Sequence, residues 1–497
     1  MNILLVYPEI PDTFWSFKHA LQFVSKKVSS PPLGLVTVAA MLPSDWNLKL
    51  VDLNIRPLKK SEIEWADYVL ISAMVVQRES TIKVIEKCKK AQKKIVAGGP
   101  LFTSEFDKFA EVDHLILNEA EITLPMFLKD LEEGHPAHLY STTEYADITQ
   151  TPIPKWELLE TRHYDSMSIQ FTRGCPFDCE FCNVTALLGH KVRTKTTAQI
   201  IAELNKIYDM GWRRSIFFVD DNFIGNKKLL KQEILPALIE WRKNKVGCYF
   251  ITEASINLAD DEELMDMMAK AGFTSVFIGI ETPDELCLME AHKAQNKNRN
   301  LVECVKSIQR KGLQVMGGFI VGFDNDQPSI FQRQIDFIQK SGIVTAMVGL
   351  LQAPHGTRLY QRMKQENRLL DEMSGDNVDG TTNIIPKMDI QELKRGYLEI
   401  LNKIYSPKLF YERVRNFLSE YNPIDQISHL QFPEIMAFLR SIYRLGIKGK
   451  ERIYYWRLFF WTLFKYPKKF PLAITCTIYG YHFRMVNELH VNRQSSA

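Results

Sequence analysis

The sequence predicts an α/β protein in three parts: an open parallel sheet with helices on both faces, a partial (β/α)6 barrel, and a mostly helical C-terminal extension. Three observations carry this. Short apolar runs alternate with helical patterns up to about residue 365, a Thr- and Pro-rich linker divides that stretch, and beyond about residue 385 only the helical period remains. The 497 residues are 45% hydrophobic and 24% charged, a globular composition with length for about two to four domains, each with its own core.

In residues 1–145 the apolar runs are "NILLVYP", "LKLVDLN", "YVLISAM", "KKIVAGGP" and "HLILNEA", separated by helical patterns such as "STIKVIEKCKKAQ". Regular alternation of strand and helix gives a parallel, Rossmann-like sheet. Such sheets bind ligands beyond the carboxyl ends of their strands. Here those ends carry Pro8, Asn54, Ser72 to Met74, Gly98 to Pro100 and Asn118 to Glu121. Residues 146–164, with "ITQTPIPKWELLETRHY", read as a linker. Residues 165–365 hold six further strand–helix units, whose strands are "MSIQFTRG", "SIFFVDDN", "CYFITEASI", "SVFIGIET", "LQVMGGFIVGF" and "TAMVGLLQAP". Six units make a partial barrel with its site at the C-terminal mouth. Residues 366–497 form the helical extension, which ends in a basic, aromatic tail.

Composition excludes several classes. With 62 Lys and Arg against 59 Asp and Glu, the formal charge is +3, so no polyelectrolyte surface points to nucleic acid. The start, "MNILLVYPEI", lacks a basic segment followed by a long apolar run and a small-residue cleavage site, so a cytoplasmic, reducing location is expected. Cys88, Cys248, Cys287, Cys304 and Cys476 are scattered singly among apolar patterns and read as small hydrophobes.

The other three cysteines differ. Cys175, Cys179 and Cys182 follow the first barrel strand with the spacing C-x3-C-x2-C, between Gly174 and Pro176, residues that favour an exposed loop. A structural zinc site wants four ligands, and the nearest histidine, His190, lies eight residues beyond Cys182. Three thiolates suit a [4Fe-4S] cluster with one iron left open to a substrate or cofactor. Zinc held by the three cysteines and one other residue is the alternative.

With Phe181 before the last cysteine, this segment resembles the radical S-adenosylmethionine (SAM) superfamily. The resemblance implies that Cys175, Cys179 and Cys182 hold the cluster, that SAM chelates the open iron, and that Phe181 packs near adenine. It places the SAM amino group near Asp220, Asp221 and Asn222, although Asp-Asp-Asn departs from the usual Gly-Gly-Glu and is also a helix-capping sequence. Glu253, Ser255, Glu281 and Gly318, in "GGFIVGF", stand where ribose and adenine rest.

The first region resembles the cobalamin-binding domain that precedes many radical SAM enzymes. The matching pieces are "SPPLGL" with Pro32 and Gly34, "ISAMVVQ" with Ser72 and Gln77, "AGGPLFT" with Gly98 and Gly99, and "NEAE" with Glu119 in place of Gly-Glu-Gly-Glu. No Asp-x-His-x-x-Gly occurs in residues 1–145, so no lower axial histidine carries over; His19 and His114 are the nearest candidates for metal contact.

Together these features are similar to the cobalamin-binding radical SAM proteins of the hopanoid C-2 methyltransferase group. The resemblance implies methylation of an unactivated carbon of an apolar substrate, such as a hopanoid or other lipid, through a 5′-deoxyadenosyl radical and methylcobalamin. It implies an electron donor such as flavodoxin or ferredoxin, and "LQAPHGTRLY", with His355 and Arg358, as part of the cavity wall. A cobalamin-assisted rearrangement without methyl transfer is the nearest rival, and a non-catalytic cobalamin or iron-sulfur sensor is the rival of another class. Between Lys448 and Arg484 eight Lys or Arg stand against one acid, Glu451, interleaved with aromatics. That mixture suits a bilayer headgroup region, so peripheral contact with the inner face of the membrane is expected; a helical lid on the barrel is the alternative.

Overall fold

The computed structural model describes residues 1–370, 373–423 and 432–494. Strands β1 (Asn2–Tyr7), β2 (Asn47–Asp52), β3 (Tyr68–Ser72), β4 (Lys94–Gly98), β5 (His114–Ile116) and β6 (Leu139–Tyr140) form the first sheet, all parallel, in the order β2-β1-β3-β4-β5-β6. Ile3 to Val6 of β1 have no exposed surface, as a strand covered on both faces requires. The chain order reverses between β1 and β3, so the crevice of this sheet opens beyond the ends of those two strands.

The second sheet contains β7 (Ser166–Ile169), β10 (Ser215–Phe218), β11 (Tyr249–Glu253), β12 (Phe273–Glu281), β13 (Gln314–Val321) and β14 (Ala346–Leu350), parallel and in sequence order. A two-stranded antiparallel ribbon, β8 (Thr172–Arg173) with β9 (Arg193–Thr194), is inserted after β7 and brackets the cysteine loop. Side chains alternate across each strand. Phe250, Val276, Ile278, Ile280, Val315 and Val348 are buried against the surrounding helices, whereas Phe217, Ile251, Phe277, Met316 and Met347 are half-buried on the inner face. Caps start the outer helices where the sequence supplies them: Thr196 with Gln199 forms a capping box, and Asp261, Asn300 and Thr357 each accept a bond from a first-turn N–H.

The extension consists of helices Ile390–Ile404, Pro407–Glu420, Phe432–Ser441, Arg452–Lys465 and Phe470–Gln494. It packs on the barrel, where Tyr405 Oη donates to Ala346 O of β14 at 2.6 Å. The last helix also grips the start of the chain: Phe483 stacks on Phe14 with centroids 4.2 Å apart, and His482 Nε2 lies 2.9 Å from Phe14 O. Phe14, Phe23 and Val36 thereby join one buried cluster with the barrel and the extension, so residues that follow β1 belong to the core of the second sheet. Among the described residues no helix is long and apolar enough to cross a membrane.

Candidate active site

The cysteine loop is fixed from several sides. Gly174 takes φ +90°, and a Cβ there would meet Lys191 O at 2.6 Å, so glycine is required where the ribbon turns into the loop. Buried Asp220, at the end of β10, accepts from the backbone N–H of Phe171 and of Thr172 and holds the strand end that launches the loop. Between the cysteines, Asp178 pairs with Arg358 at 2.8 Å, and Glu180 receives Arg362 in a fork at 2.7 and 2.9 Å. Arg358 therefore acts on the loop from the helix Arg358–Gln365, while His355 packs against Tyr360, centroids 4.9 Å apart.

Cys175, Cys179 and Cys182 are half-buried free thiols. Burial pushes the Cys175 thiol up and the Cys182 thiol to about 12. Gln295, itself buried, donates Nε2 to Cys179 Sγ at 3.7 Å, and Lys293 Nζ lies 5.9 Å over the Phe181 ring while pairing with Glu281 at 2.6 Å. Burial disfavours the Lys293 charge, but Glu281 together with the neighbouring Cys179 and Cys182 holds the ammonium above its ordinary range. Glu281 adopts φ +64°, a conformation that non-glycine residues rarely take.

Beyond the ends of β10 and β11 lies an acidic pair. Asp221 follows β10 and Glu253 ends β11; desolvation by the surrounding protein raises their carboxyls to about 6 and about 8, with Asp221 and Asp220 adding to the rise at Glu253. Neither side chain has a cationic partner among the described residues. Asn222 does not cap the following turn: its Oδ1 accepts from Ser255 N at 3.1 Å and Ser255 Oγ at 3.2 Å, tying the two strand ends together. Gly318 makes room for Phe277, whose ring a Cβ would meet at 2.8 Å.

The carboxyl ends of the first sheet face this mouth. Trp15, from the segment after β1, crosses to the inner barrel face, where its ring meets Phe277 at 5.3 Å and its indole N–H points at Met347 Sδ, 2.9 Å away. Gly34 is exposed with open space where a Cβ would stand, beside Pro32 at the start of the helix Leu33–Met41. Ser72 and Gly99 adjoin, with Gly99 at φ +90°, and Gly98 lets β4 approach Ile116 O. Two side chains of this rim are committed inside the protein. Gln77 accepts from Met74 N at 2.8 Å and donates to Pro8 O at 2.6 Å, clamping the ends of β1 and β3. Glu119 takes Arg173 at 3.0 Å and Arg193 at 2.7 Å, pinning the cysteine ribbon to the first sheet. His114 sits at the opposite end of β5, bonded to Ala137 O, and His19 packs against His482 of the last helix. A cavity of about 300 Å³ at the junction is lined by Val75 and Glu105 of the first domain and Asn183, Ala353 and His355 of the second.

Comparison with known proteins gives this arrangement a family. Residues 24–128 match the B12 binding domain, 169–338 the Radical SAM superfamily, and 357–496 a domain of unknown function (DUF4070). The chain is 43% identical over 98% of its length to an uncharacterized methyltransferase of Synechocystis sp., covering 92% of that protein. It is 32% identical over 92% of its length to the hopanoid C-2 methylase of Rhodopseudomonas palustris, covering 88% of it. The chain belongs to the B12-binding radical SAM methyltransferases. The fold agrees: the radical SAM methyltransferase TsrM from Kitasatospora setae, with cobalamin and a [4Fe-4S] cluster bound, superposes with a TM-score of 0.63 at 12% identity, over 98% of this chain and 99% of that one.

The cofactors of this radical SAM methyltransferase are a [4Fe-4S] cluster, SAM and cobalamin. The donor set fits a cluster better than a single ion. Sulfurs around one tetrahedral zinc lie about 3.8 Å apart. Among the described residues the only three ligand groups within 4.8 Å of one another are those of Asp130, Glu133 and His135, on the surface, and not the cysteines. The sequence reading missed Lys293, Gln295, Glu180, Arg362 and Trp15. The run "EAHKAQNKNRN" does carry a cation and amides close together, but only the fold brings it to the thiols.

Proposed function

We propose that this enzyme methylates an unactivated carbon of an apolar small molecule held inside the barrel. The observation that supports this reading is the inner wall. Phe217, Ile251, Phe277, Met316 and Met347 are half-buried there, with Trp15 laid across them, and the charged groups Asp221 and Glu253 stand only toward the mouth. Such a wall offers dispersion and hydrophobic contact to a hydrocarbon. The Rhodopseudomonas relative is a hopanoid C-2 methylase, an activity in the same chemical class.

In this reading Cys175, Cys179 and Cys182 ligate the cluster, and Phe181 packs beside adenine. Asp221 and Glu253, which lack a counter-ion, receive the SAM ammonium; Ser255, Glu281 and Gly318 border its nucleoside. Asp220 and Asn222 position rather than bind, since their oxygens are taken by backbone and Ser255. Pro32, Gly34, Ser72, Gly98 and Gly99 face cobalamin, while Gln77 and Glu119 hold that rim in place. When bound, SAM at the reduced cluster supplies a 5′-deoxyadenosyl radical and cobalamin supplies the methyl group. A flavodoxin- or ferredoxin-type donor supplies the electron.

Met347→Glu tests the apolar wall. A carboxylate there is expected to lower kcat/KM for a hopanoid-like hydrocarbon about 100-fold, because its desolvation has no compensation, while leaving SAM binding unchanged. An unchanged kcat/KM would place the substrate elsewhere.

A further inference from the structure

The extension carries an apolar surface that the fold leaves uncovered. The helix Phe432–Ser441 and its continuation as a π-turn, Ile442–Ile447, bury Ala437, Ser441 and Leu445 and expose Ile435, Leu439, Tyr443 and Ile447, spaced four residues apart on one face. The next helix, Arg452–Lys465, buries Tyr455, Leu458 and Thr462 and exposes Ile453, Phe460, Leu463 and Phe464, the last 80% exposed. The two are locked side by side by Ser441 Oγ to Tyr455 Oη at 2.9 Å and by Trp456 Nε1 donating to Gly446 O at 2.9 Å. Eight of the 22 exposed large apolar side chains of the described protein fall within these 30 residues, 435–464. Scattered single exposures need no explanation, but such a concentration marks an interaction surface.

Charge identifies the partner. Lys448, Lys450, Arg452, Arg457 and Lys465 are exposed around the same face, and Lys448 Nζ lies 4.6 Å over the Tyr443 ring. The acid within the stretch, Glu451, is buried and paired with Arg484, so it does not offset these cations at the surface. A second copy of the chain docked face to face would bring two such cation sets together in like-charge opposition. An anionic bilayer reverses that sign: its headgroups meet the cations while the aromatic and aliphatic tips enter the acyl boundary.

We propose that the face formed by Ile435, Leu439, Tyr443, Ile447, Phe460 and Phe464 with its basic surround docks this enzyme on an anionic lipid membrane. The inference goes beyond the substrate reading and stands without it, since it rests on a surface remote in sequence from the cysteine loop. An enzyme seated in this way lies on the bilayer and does not span it.

Co-sedimentation of the full-length protein with vesicles tests this. Phosphatidylcholine vesicles containing phosphatidylglycerol are expected to carry the protein down, vesicles of phosphatidylcholine alone at least tenfold less, and added salt to weaken the binding. The double variant Phe460→Glu/Phe464→Glu is expected to lose binding at least tenfold while keeping its circular dichroism spectrum and Tm, because both rings are exposed. No sedimentation with anionic vesicles, or equal binding by the double variant, would overturn the proposal. So would a dimer that Phe464→Glu dissociates in the absence of vesicle binding, which would assign the face to a second copy.

Discussion

Gln295 illustrates how a single side chain sets a property of the site. Its amide N–H points at Cys179 Sγ from a buried position, and its Oε1 has no partner among the described residues, so the side chain is held there by packing. A donor to a ligating sulfur stabilises the more negative, reduced state of an iron-sulfur cluster. Gln295→Leu is therefore expected to move the cluster midpoint to a more negative potential, by up to about 59 mV for a tenfold change in the one-electron equilibrium. Electron paramagnetic resonance across a potentiometric titration checks this, and an unchanged midpoint contradicts it. The three cysteines were legible in the sequence because their spacing is local and rare. Gln295 was not, because only the return of the chain after β12 brings it to Cys179, 116 residues away.

At the scale of elements, the last helix, Phe470–Gln494, does more than cover the barrel. Gly480 lets it approach Phe410, whose ring would lie 2.3 Å from a Cβ, and His482 enters the seam between the helix and the start of the chain. Burial lowers the His482 pKa to about 4, and Nδ1 has no partner to support a second proton. The folded value lies below the unfolded one, so the unfolded state binds more protons between them. The stability that depends on neutral His482 is present above about pH 6.5 and is lost as pH falls toward 4, roughly 3 kcal/mol over the window. His482→Gln is expected to show a smaller drop in Tm between neutral pH and about pH 5 than the parent; equal drops would assign the acid sensitivity to other groups. The helical period of this segment was plain in the sequence. Its docking against Phe14 was not, for periodicity shows that a face is buried and not what buries it.

In the whole molecule, the two parallel sheets are tied together by contacts between residues far apart in sequence. Glu119 to Arg173 and Arg193, Tyr164 Oη to Asp52 Oδ2 at 2.8 Å, and Trp15 to Met347 join residues 54 to 332 apart in sequence. The alternation of strands and helices predicted both sheets and their parallel sense. The same sequence gave Glu119 and Gln77 as cofactor contacts, because residues at strand ends carry no mark that separates a rim facing ligand from a rim clamped to its neighbour. The second sheet carries the cysteine loop after β7, the uncompensated Asp221 and Glu253 at the ends of β10 and β11, and an apolar inner face, and this grouping supports the proposal of carbon methylation.

Anaerobic reconstitution with iron, sulfide, cobalamin, SAM, a reductant and an apolar hydrocarbon substrate, followed by mass spectrometry, tests that assignment most directly. The expected products are 5′-deoxyadenosine, S-adenosylhomocysteine and a substrate one carbon heavier; Cys175→Ala, Cys179→Ala or Cys182→Ala is expected to abolish 5′-deoxyadenosine and the methylated product and to hold S-adenosylhomocysteine to the amount that methylates the cobalamin present. Formation of 5′-deoxyadenosine with no S-adenosylhomocysteine and no gain in substrate mass would contradict it and identify a rearrangement instead.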